Sequence, residues 1–506
     1  MRDILLGVDI GTSACKAAAF DGEGRVVAQA AGAYGVSCPH PGWAEQDPEQ
    51  WWEAVCRAIR EVLEKGKIAP ARVAGVGVDG QSWSAIAVDR DGRALCPTPI
   101  WYDTRAAALC EEINRSVGEE RLFAVSGNPF SPSYTMPKVL WYRRERPQVY
   151  EIAWKILQSN GYLVYRLTGA AVQDESQGYG WACYEMAKNR WDTALCRELG
   201  VRPDLLPEIV PCTRVVGTVT AEAAAACGLQ AGTPVVAGGL DAACGALGAG
   251  VVRPGETQEQ GGQAGGMSIC TAACRADPRL ILSAHVAPGL WLLQGGTVGG
   301  SGALNWFARE FGAAERAEAA EKGGSVFTRL DSEAEAVPPC SEGLVFLPYL
   351  AGERSPLWDV DAKGVFYGAR FTTTRAHFAR AVMEGVAYSL RHNLETAQEA
   401  GVEAGVLRAM GGAANSRLWT QIKADVTGRR VEVPASDTAT AFGAAILAGV
   451  GVGLYRDCAE AVDKTVRVMR VHEPDPAAKE AYDAGYRVYR ELYESLRALM
   501  KKEAHS

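Results

Sequence analysis

The stretch "LLGVDIGTSACKAAAFDGEGRVVAQ", residues 5–29, decides how the chain is read. An apolar run over residues 4–8 leads to Asp9, then to the turn Gly11-Thr12-Ser13, and a second apolar run follows over 15–20. Asp21-Gly-Glu-Gly24 turns the chain into Arg25-Val-Val-Ala-Gln29. Two turn clusters between short apolar runs predict a three-stranded meander. Glycine lets backbone N–H groups approach an anion because no Cβ intervenes, and Thr12 and Ser13 add hydroxyl donors. A carboxylate among such donors repels phosphate unless a cation lies between them. Mg²⁺, a hard ion held by one or two carboxylates plus substrate phosphates, removes that conflict. Asp9 is therefore expected to hold magnesium through water while the turn holds phosphate. Lys16 reads either as part of that turn or as a surface charge.

Outward from this stretch, Asp47-Pro48-Glu49-Gln50 supplies a capping acid, a proline at the first helical position and a glutamine three residues after the cap. It predicts a helix from Pro48 to Lys65. Residues 73–78 read as a buried strand, so the first half is mixed α/β. The second half begins in the same manner. The apolar strand before Gly238-Gly-Leu-Asp241 enters a glycine- and alanine-rich helix, and 257–273 and 281–293 read as strands around Gly261-Gly-Gln-Ala-Gly-Gly266. "LLQGGTVGGSGALNWF" (292–307) again sets glycines at a strand-to-helix junction. Two halves built alike predict duplicated domains, 1–247 and 248–506, facing one another. Near the end, Tyr482, Tyr486, Tyr489, Tyr493 and Leu496 mark one face of an amphipathic helix packed on the protein's own surface.

Composition sets bounds on partners. With 506 residues, 48% of them hydrophobic and 22% charged, the chain is long enough for two cores. A net charge of −8 gives no electrostatic footprint for nucleic acid or an anionic membrane. No apolar run approaches the roughly 20 residues that span a bilayer. Met1-Arg2-Asp3 lacks a signal peptide's apolar core, and a cytoplasmic protein is expected. The 14 cysteines are scattered and read as reduced, buried thiols. Cys270 and Cys274, in a predicted strand, have no matching second pair and argue against zinc.

Two further motifs carry chemistry. Asp241, in "GGLDAACGALGAG", reads either as a helix cap or as a base. Its small neighbours leave room for a substrate, and a carboxylate fixed near a hydroxyl can take its proton during attack on a γ-phosphoryl group. In "RAMGGAANSRLWTQIKADVTGRRVEV" (408–433), Gly411 and Gly412 permit close backbone approach, and Asn415-Ser416 can cap the next helix. That pattern suits a nucleotide lying against a helix N-terminus, or a plain turn and cap.

Together these segments resemble the FGGY family of carbohydrate kinases over nearly the whole chain, most nearly its xylulokinase-like members. "GVDIGTSACKAAAFD", "PGWAEQDPEQWW" (41–52), "PIWYDTRA" (99–106), "GGLDAACGALGAG", "FLPYLAGERSP" (346–356) and "GGAANSRLWTQIKADVTG" (411–428) stand in family order. The resemblance implies two ribonuclease-H-like domains of the actin and hexokinase kind, an α/β fold with ATP and sugar in an interdomain cleft. It implies Asp241 as general base, Asp9 and Asp241 at Mg²⁺, and Gly11, Thr12, Ser13 and Lys16 near the phosphates. Gly262, Gln263, Gly299, Asn305, Gly411, Gly412, Asn415 and Ser416 would lie along the nucleotide, and Gln81, Ser82, Trp83, Asp103 and Asp241 at the sugar. Two departures stand out. Xylulokinases carry Gln-Met-His-Gly where this chain has Gln81-Ser82-Trp83-Ser84, so an apolar face replaces a polar contact. The second phosphate loop, usually Gly-Thr-Ser, is Gly262-Gln263-Ala264-Gly265 here, which implies a shifted substrate or nucleotide geometry. Glycerol is disfavoured, because the arginine-glutamate pair of glycerol kinases is replaced by Gln81-Ser82. The expectation is ATP-dependent phosphorylation of a small ketose, a xylulose-like pentulose or a hexulose. The alternatives are a kinase of a sugar acid or linear polyol and a catalytically silent sensor; a homodimer is left open.

Overall fold

The computed structural model describes residues 3–435 and 438–503, so Met1 and Arg2 of the N-terminal reading lie outside the described residues. The chain groups into two compact units, neither continuous in sequence. One is Met1–Pro254 with Cys270–Leu292 and Thr438–Val466; the other is Gly255–Ile269 with Leu293–Asp437 and Arg467–Ser506.

In the first unit, β1 (Ile4–Ile10), β2 (Ala14–Asp21) and β3 (Val26–Ala33) form the expected meander, antiparallel at both joints. The strands β4 (Val73–Gly80), β5 (Val215–Thr218), β6 (Pro234–Val236) and β7 (Gly239–Leu240) extend the sheet. Its order is β5-β6-β4-β1-β2-β3, with β7 beside β4. β4 runs parallel to β1, β6 and β7. Both β1 and β4 are buried almost throughout, which is why they read as near-continuous apolar runs rather than as alternating ones. The helix Pro48–Lys65 has the predicted bounds; the Asp47 carboxylate accepts the Glu49 N–H at 3.0 Å, and Trp51, Val55, Ile59 and Val62 form its buried face.

A second helix, Ala439–Gly451, lies against β1 and β4 at backbone distance. A Cβ on Gly7 would stand 1.8 Å from the Ala441 carbonyl oxygen, and one on Gly77 would stand 1.9 Å from that of Ala444. The same helix meets the helix Asp241–Gly248 in this way, since a Cβ on Gly443 would be 1.9 Å from the Cys244 oxygen.

The second unit repeats the plan. Its strands are β8 (Thr257–Gly261), β9 (Gly265–Thr271), β10 (Trp291–Thr297), β11 (Leu407–Met410), β12 (Val431–Pro434) and β13 (Val468–His472). They lie in the order β10-β9-β8-β11-β12-β13. β8 is antiparallel to β9 and parallel to β11, which is parallel to β12. β9 ends at Thr271, so Cys274 lies beyond the strand in which the sequence placed it. The polar run Thr257-Gln-Glu-Gln260 survives inside a sheet because Lys423 Nζ meets Glu259 Oε1 at 2.7 Å, both side chains being buried. The helix Lys479–Glu503 buries Tyr482, Tyr486, Tyr489 and Tyr493 against its own unit, and the Tyr349 hydroxyl donates to Tyr489 at 2.6 Å. Among the described residues, no helix is long and apolar enough to cross a membrane.

The close approach at Gly77 has a measurable cost. Gly77→Ala forces the helix Ala439–Gly451 off the sheet and is expected to lower stability by about 3 kcal/mol, the upper part of the usual overpacking range. Urea unfolding at fixed m-value measures it, and an unshifted midpoint would contradict the packing.

Candidate active site

The parallel register sets Asp9 of β1 beside Asp79 of β4, and β7 ends next to Asp79 one residue before Asp241. Asp241 opens the helix Asp241–Gly248. Three aspartates thus gather at the carboxyl ends of parallel strands, where open α/β sheets bind ligands. Asp79 is fully buried and no N–H or O–H donor reaches either of its oxygens. The Asp9 and Asp79 carboxyls are within hydrogen-bond reach, so this pair needs a shared proton or a cation. Burial drives Asp79 well above the usual carboxylate range, with the charges of Asp9 and Asp241 adding to it. Burial also raises Asp9, with the Asp79 contact and the Lys16 charge acting the other way. Asp241 is pushed up to about 7, by burial first and by Asp9 second, and its Oδ1 accepts the Ala242 N–H at 2.7 Å. The sequence reading picked out Asp9 and Asp241 and missed Asp79. Its signal was present: "VAGVGVDG" (73–80) repeats the apolar run ending in Asp that "LLGVDIG" begins with.

The turn after β1 is held from several sides. The Gly11 N–H closes it onto the Ala14 carbonyl at 3.1 Å, and the Gly11 carbonyl accepts the Tyr34 hydroxyl at 2.7 Å. Gly11 therefore spends both backbone groups on the turn itself. Trp101 Nε1 donates to Thr12 Oγ1 at 3.0 Å, which leaves the threonine proton free for an anion. Gln46 Nε2 donates to the Thr12 carbonyl at 2.8 Å, and Gln46 Oε1 accepts from Gln81 Nε2 at 2.8 Å. Ser13 and Lys16 are exposed, with Lys16 opposite Asp9 in the β1–β2 register.

Gln81 Oε1 is buried without a donor, and the Ser82 hydroxyl accepts from Tyr179 at 3.2 Å. Trp83 adopts φ 59°, and its ring lies 4.5 Å from Tyr134 and 5.4 Å from Tyr179. Asp103 faces inward. Its carboxylate accepts the Ala44 N–H at 2.6 Å and the Arg105 guanidinium at 2.8 Å, and Arg105 also holds Glu45 at 2.8 Å and lies 3.8 Å over the Trp43 ring. From "PIWYDTRA" it is Trp101 that reaches the turn after β1, a contact the sequence reading did not pick out.

The second unit holds a cavity of about 500 Å³. Gly262, Gln263, Asn305, Gly412, Asn415 and Ser416 line it together with Leu304, Phe327, Asp331 and Trp419. Ser416 is at once a wall and a cap, since its Oγ accepts the Trp419 N–H at 2.9 Å. Ser301 N–H donates to the Gly262 carbonyl at 2.7 Å and Gly302 N–H to that of Gln263 at 2.9 Å, which anchors the turn on the helix Ser301–Phe311. Asn305 Nδ2 approaches Gln263 Oε1 at 3.4 Å. Gly299 and Gly411 are not on the wall. A Cβ on Gly299 would stand 2.2 Å from the Pro348 carbonyl oxygen, and Gly411, at φ 81°, packs on Gly261. An apolar floor with a few convergent polar groups suits a nucleoside.

Among the described residues, no three His, Cys, Asp or Glu side chains form a metal-holding group. The donorless Asp79 beside Asp9 is the fit a hard, water-keeping cation requires, because it offers one or two carboxylates rather than a full cage.

Twin α/β units of this strand order are the architecture of phosphotransferases of the actin and hexokinase kind. The N-terminal domain of the FGGY family of carbohydrate kinases matches residues 4–248 and its C-terminal domain matches 269–452, and the chain belongs to that family. It is similar to the xylulose kinase of Escherichia coli K12, 31% identical over 498 residues that cover 98% of this chain and 99% of the relative. It is similar also to the autoinducer-2 kinase of Salmonella choleraesuis, 31% identical over 513 residues that cover 98% and 95%. The crystal structure of xylulose kinase from Rhodospirillum rubrum matches with a TM-score of 0.88 and 32% identity, covering 98% of this chain and 100% of that one. The chain is an ATP-dependent sugar kinase.

Removing Arg105 leaves two carboxylates, Asp103 and Glu45, without their cation. Arg105→Met is expected to destabilise the protein by about 3–5 kcal/mol, the cost of breaking a buried pair on one side. A chemical-denaturation series reads this directly, and a loss under about 1 kcal/mol would show a solvated, weak pair instead.

Proposed function

We propose that this kinase phosphorylates a hydroxyl of a small ketose, xylulose or a similar pentulose or hexulose, with Asp241 as the general base. The observation that carries the proposal is the place of Asp241, opening a helix at the carboxyl end of the sheet directly after the strand beside Asp79, where burial pushes its carboxyl up to about 7. A base with its pKa near the working pH combines an available lone pair with enough basicity to take the hydroxyl proton. Asp9 and Asp79 would hold Mg²⁺ through water when the nucleotide is bound. That ion supplies neutralisation of the charge that builds on the phosphoryl oxygens. Thr12 donates its free proton to a phosphate oxygen, and the cavity at Gly262, Gly412 and Ser416 takes the nucleoside. Phosphoryl transfer then depends on positioning and on electrostatic stabilisation. The kinases from Escherichia coli and Rhodospirillum rubrum, named for xylulose, support a ketose acceptor. A second reading is a linear polyol, whose C–H face can stack on the Trp83–Tyr134–Tyr179 cluster; a sugar acid would need a cation that these rings do not supply.

ADP release with Mg-ATP, measured against ketoses, linear polyols and sugar acids, separates these readings. Asp241→Asn is expected to reduce the acceptor-dependent rate by about 10²–10⁴-fold. If this variant turned over as fast as wild type, the base would be ruled out. The wild-type kcat should rise with pH through about 7 and level off above it, because only the ionised carboxylate accepts the proton. A profile that falls across this interval would reverse the assignment of acid and base.

A further inference from the structure

One fully buried cation in the first unit has no carboxylate bonded to it. Lys138, on the helix Thr135–Glu145, is inaccessible to solvent, and its ammonium donates to three carbonyls. These are Trp83 at 2.8 Å, Ile100 at 2.8 Å and Ser133 at 2.6 Å. Three N–H donors thus meet three acceptors from three separate segments, and none is spare. Each segment carries one aromatic side chain of the group Trp83, Trp101 and Tyr134. Trp83 itself stands at φ 59°, a conformation an L residue keeps only when its surroundings over-determine it. Ile100 precedes Trp101, whose indole N–H bonds Thr12 Oγ1 at 3.0 Å. Ser133 precedes Tyr134, which packs on Trp83 at 4.5 Å. On the far side Gly180 closes the gap, since a Cβ there would be 2.6 Å from Trp83 Cδ1. A buried ammonium is a costly way to gain stability, and an apolar side chain of similar volume packs such a site more cheaply. What it uniquely supplies is three directed bonds.

We propose that Lys138 is a positioning residue for acceptor binding, pinning the Trp83, Trp101 and Tyr134 segments in the one arrangement that receives the sugar. The inference rests on the reading of the Trp83 loop as the acceptor side of the kinase. The charged groups facing the ammonium are Asp103 and Arg105, the latter paired with Glu45.

Steady-state kinetics of Lys138→Met test it, with Mg-ATP and the acceptor that gives wild type its fastest ADP release. Acceptor KM should rise at least about tenfold, one factor of ten being the loss of about 1.4 kcal/mol, while the KM for ATP stays level. A proportionate loss in both, or an unchanged acceptor KM, overturns the assignment. Should the variant not fold, wild type alone decides. Burial lowers the lysine to about 7, and a neutral amine has only two N–H donors for three carbonyls. Acceptor KM should therefore climb between about pH 6 and 10 while the KM for ATP does not. A flat acceptor KM over that range refutes the proposal. A wild type whose ADP release ignores every acceptor refutes the acceptor reading itself, whereas an active enzyme with unmoved KM refutes only Lys138.

Discussion

Everything at the carboxyl end of the first unit's sheet depends on how near one helix comes to two strands. Gly7 and Gly77 lie two residues before Asp9 and Asp79, and each faces a carbonyl of Ala439–Gly451 at a distance no Cβ allows. Backbone packed on backbone leaves no rotamers to relax, so the strand ends are held as rigidly as the helix behind them. The same helix touches the helix that Asp241 opens through Gly443. All three acids are thereby referenced to a single element, and the close approach of small residues fixes the strands and the helix that carry them.

That placement is electrostatically uphill, and the uphill term is the useful one. Asp79 has no donor, Asp9 has Asp79 for a neighbour, and Asp241 feels both burial and Asp9. A protein selected for stability alone would pair or replace such groups. Asp103 shows the contrast within the same unit. It is equally buried, yet Arg105 and the Ala44 N–H satisfy its oxygens. Two buried aspartates, one with its oxygens satisfied and one without a donor, show how far the surroundings of the same side chain differ within one unit.

The meander, the helix Pro48–Lys65 and the tyrosine face of the last helix were legible in the sequence because each is a local pattern of turns, caps or spacing. Gly262, Gln263, Asn305, Gly412, Asn415 and Ser416, singled out together from the sequence, share the wall of one cavity, since glycine turns at strand ends announce themselves. The partners of Asp103 were not legible, because "PIWYDTRA" does not say which polar residue turns inward; the Arg105 stack on Trp43 decides that. Lys138 was invisible for the same reason. A lysine on a helix reads as a solvated charge until three distant carbonyls are seen to meet it. The packing of 439–451 on β1 and β4 has no local signal either, as its glycines and alanines suit any close contact.

The two units also show how one fold can set an acid in two different surroundings. In the first, the acid two residues before the turn glycine Gly11 is Asp9. In the second, the acid two residues before Gly261 is Glu259. The strands match in order and direction, but their partners differ. Lys423 meets Glu259 at 2.7 Å inside its own unit, whereas Asp9 meets another carboxyl, with Lys16 exposed on the neighbouring strand. A neutralised pair neither attracts a cation nor takes a proton, so the second turn presents neutral groups where the first presents an acid. An unpaired acid keeps its charge in question, and proton and metal chemistry need that. Two turns built alike thus differ in one lysine, which pairs with the acid of the second and, among the described residues, has no counterpart at the first.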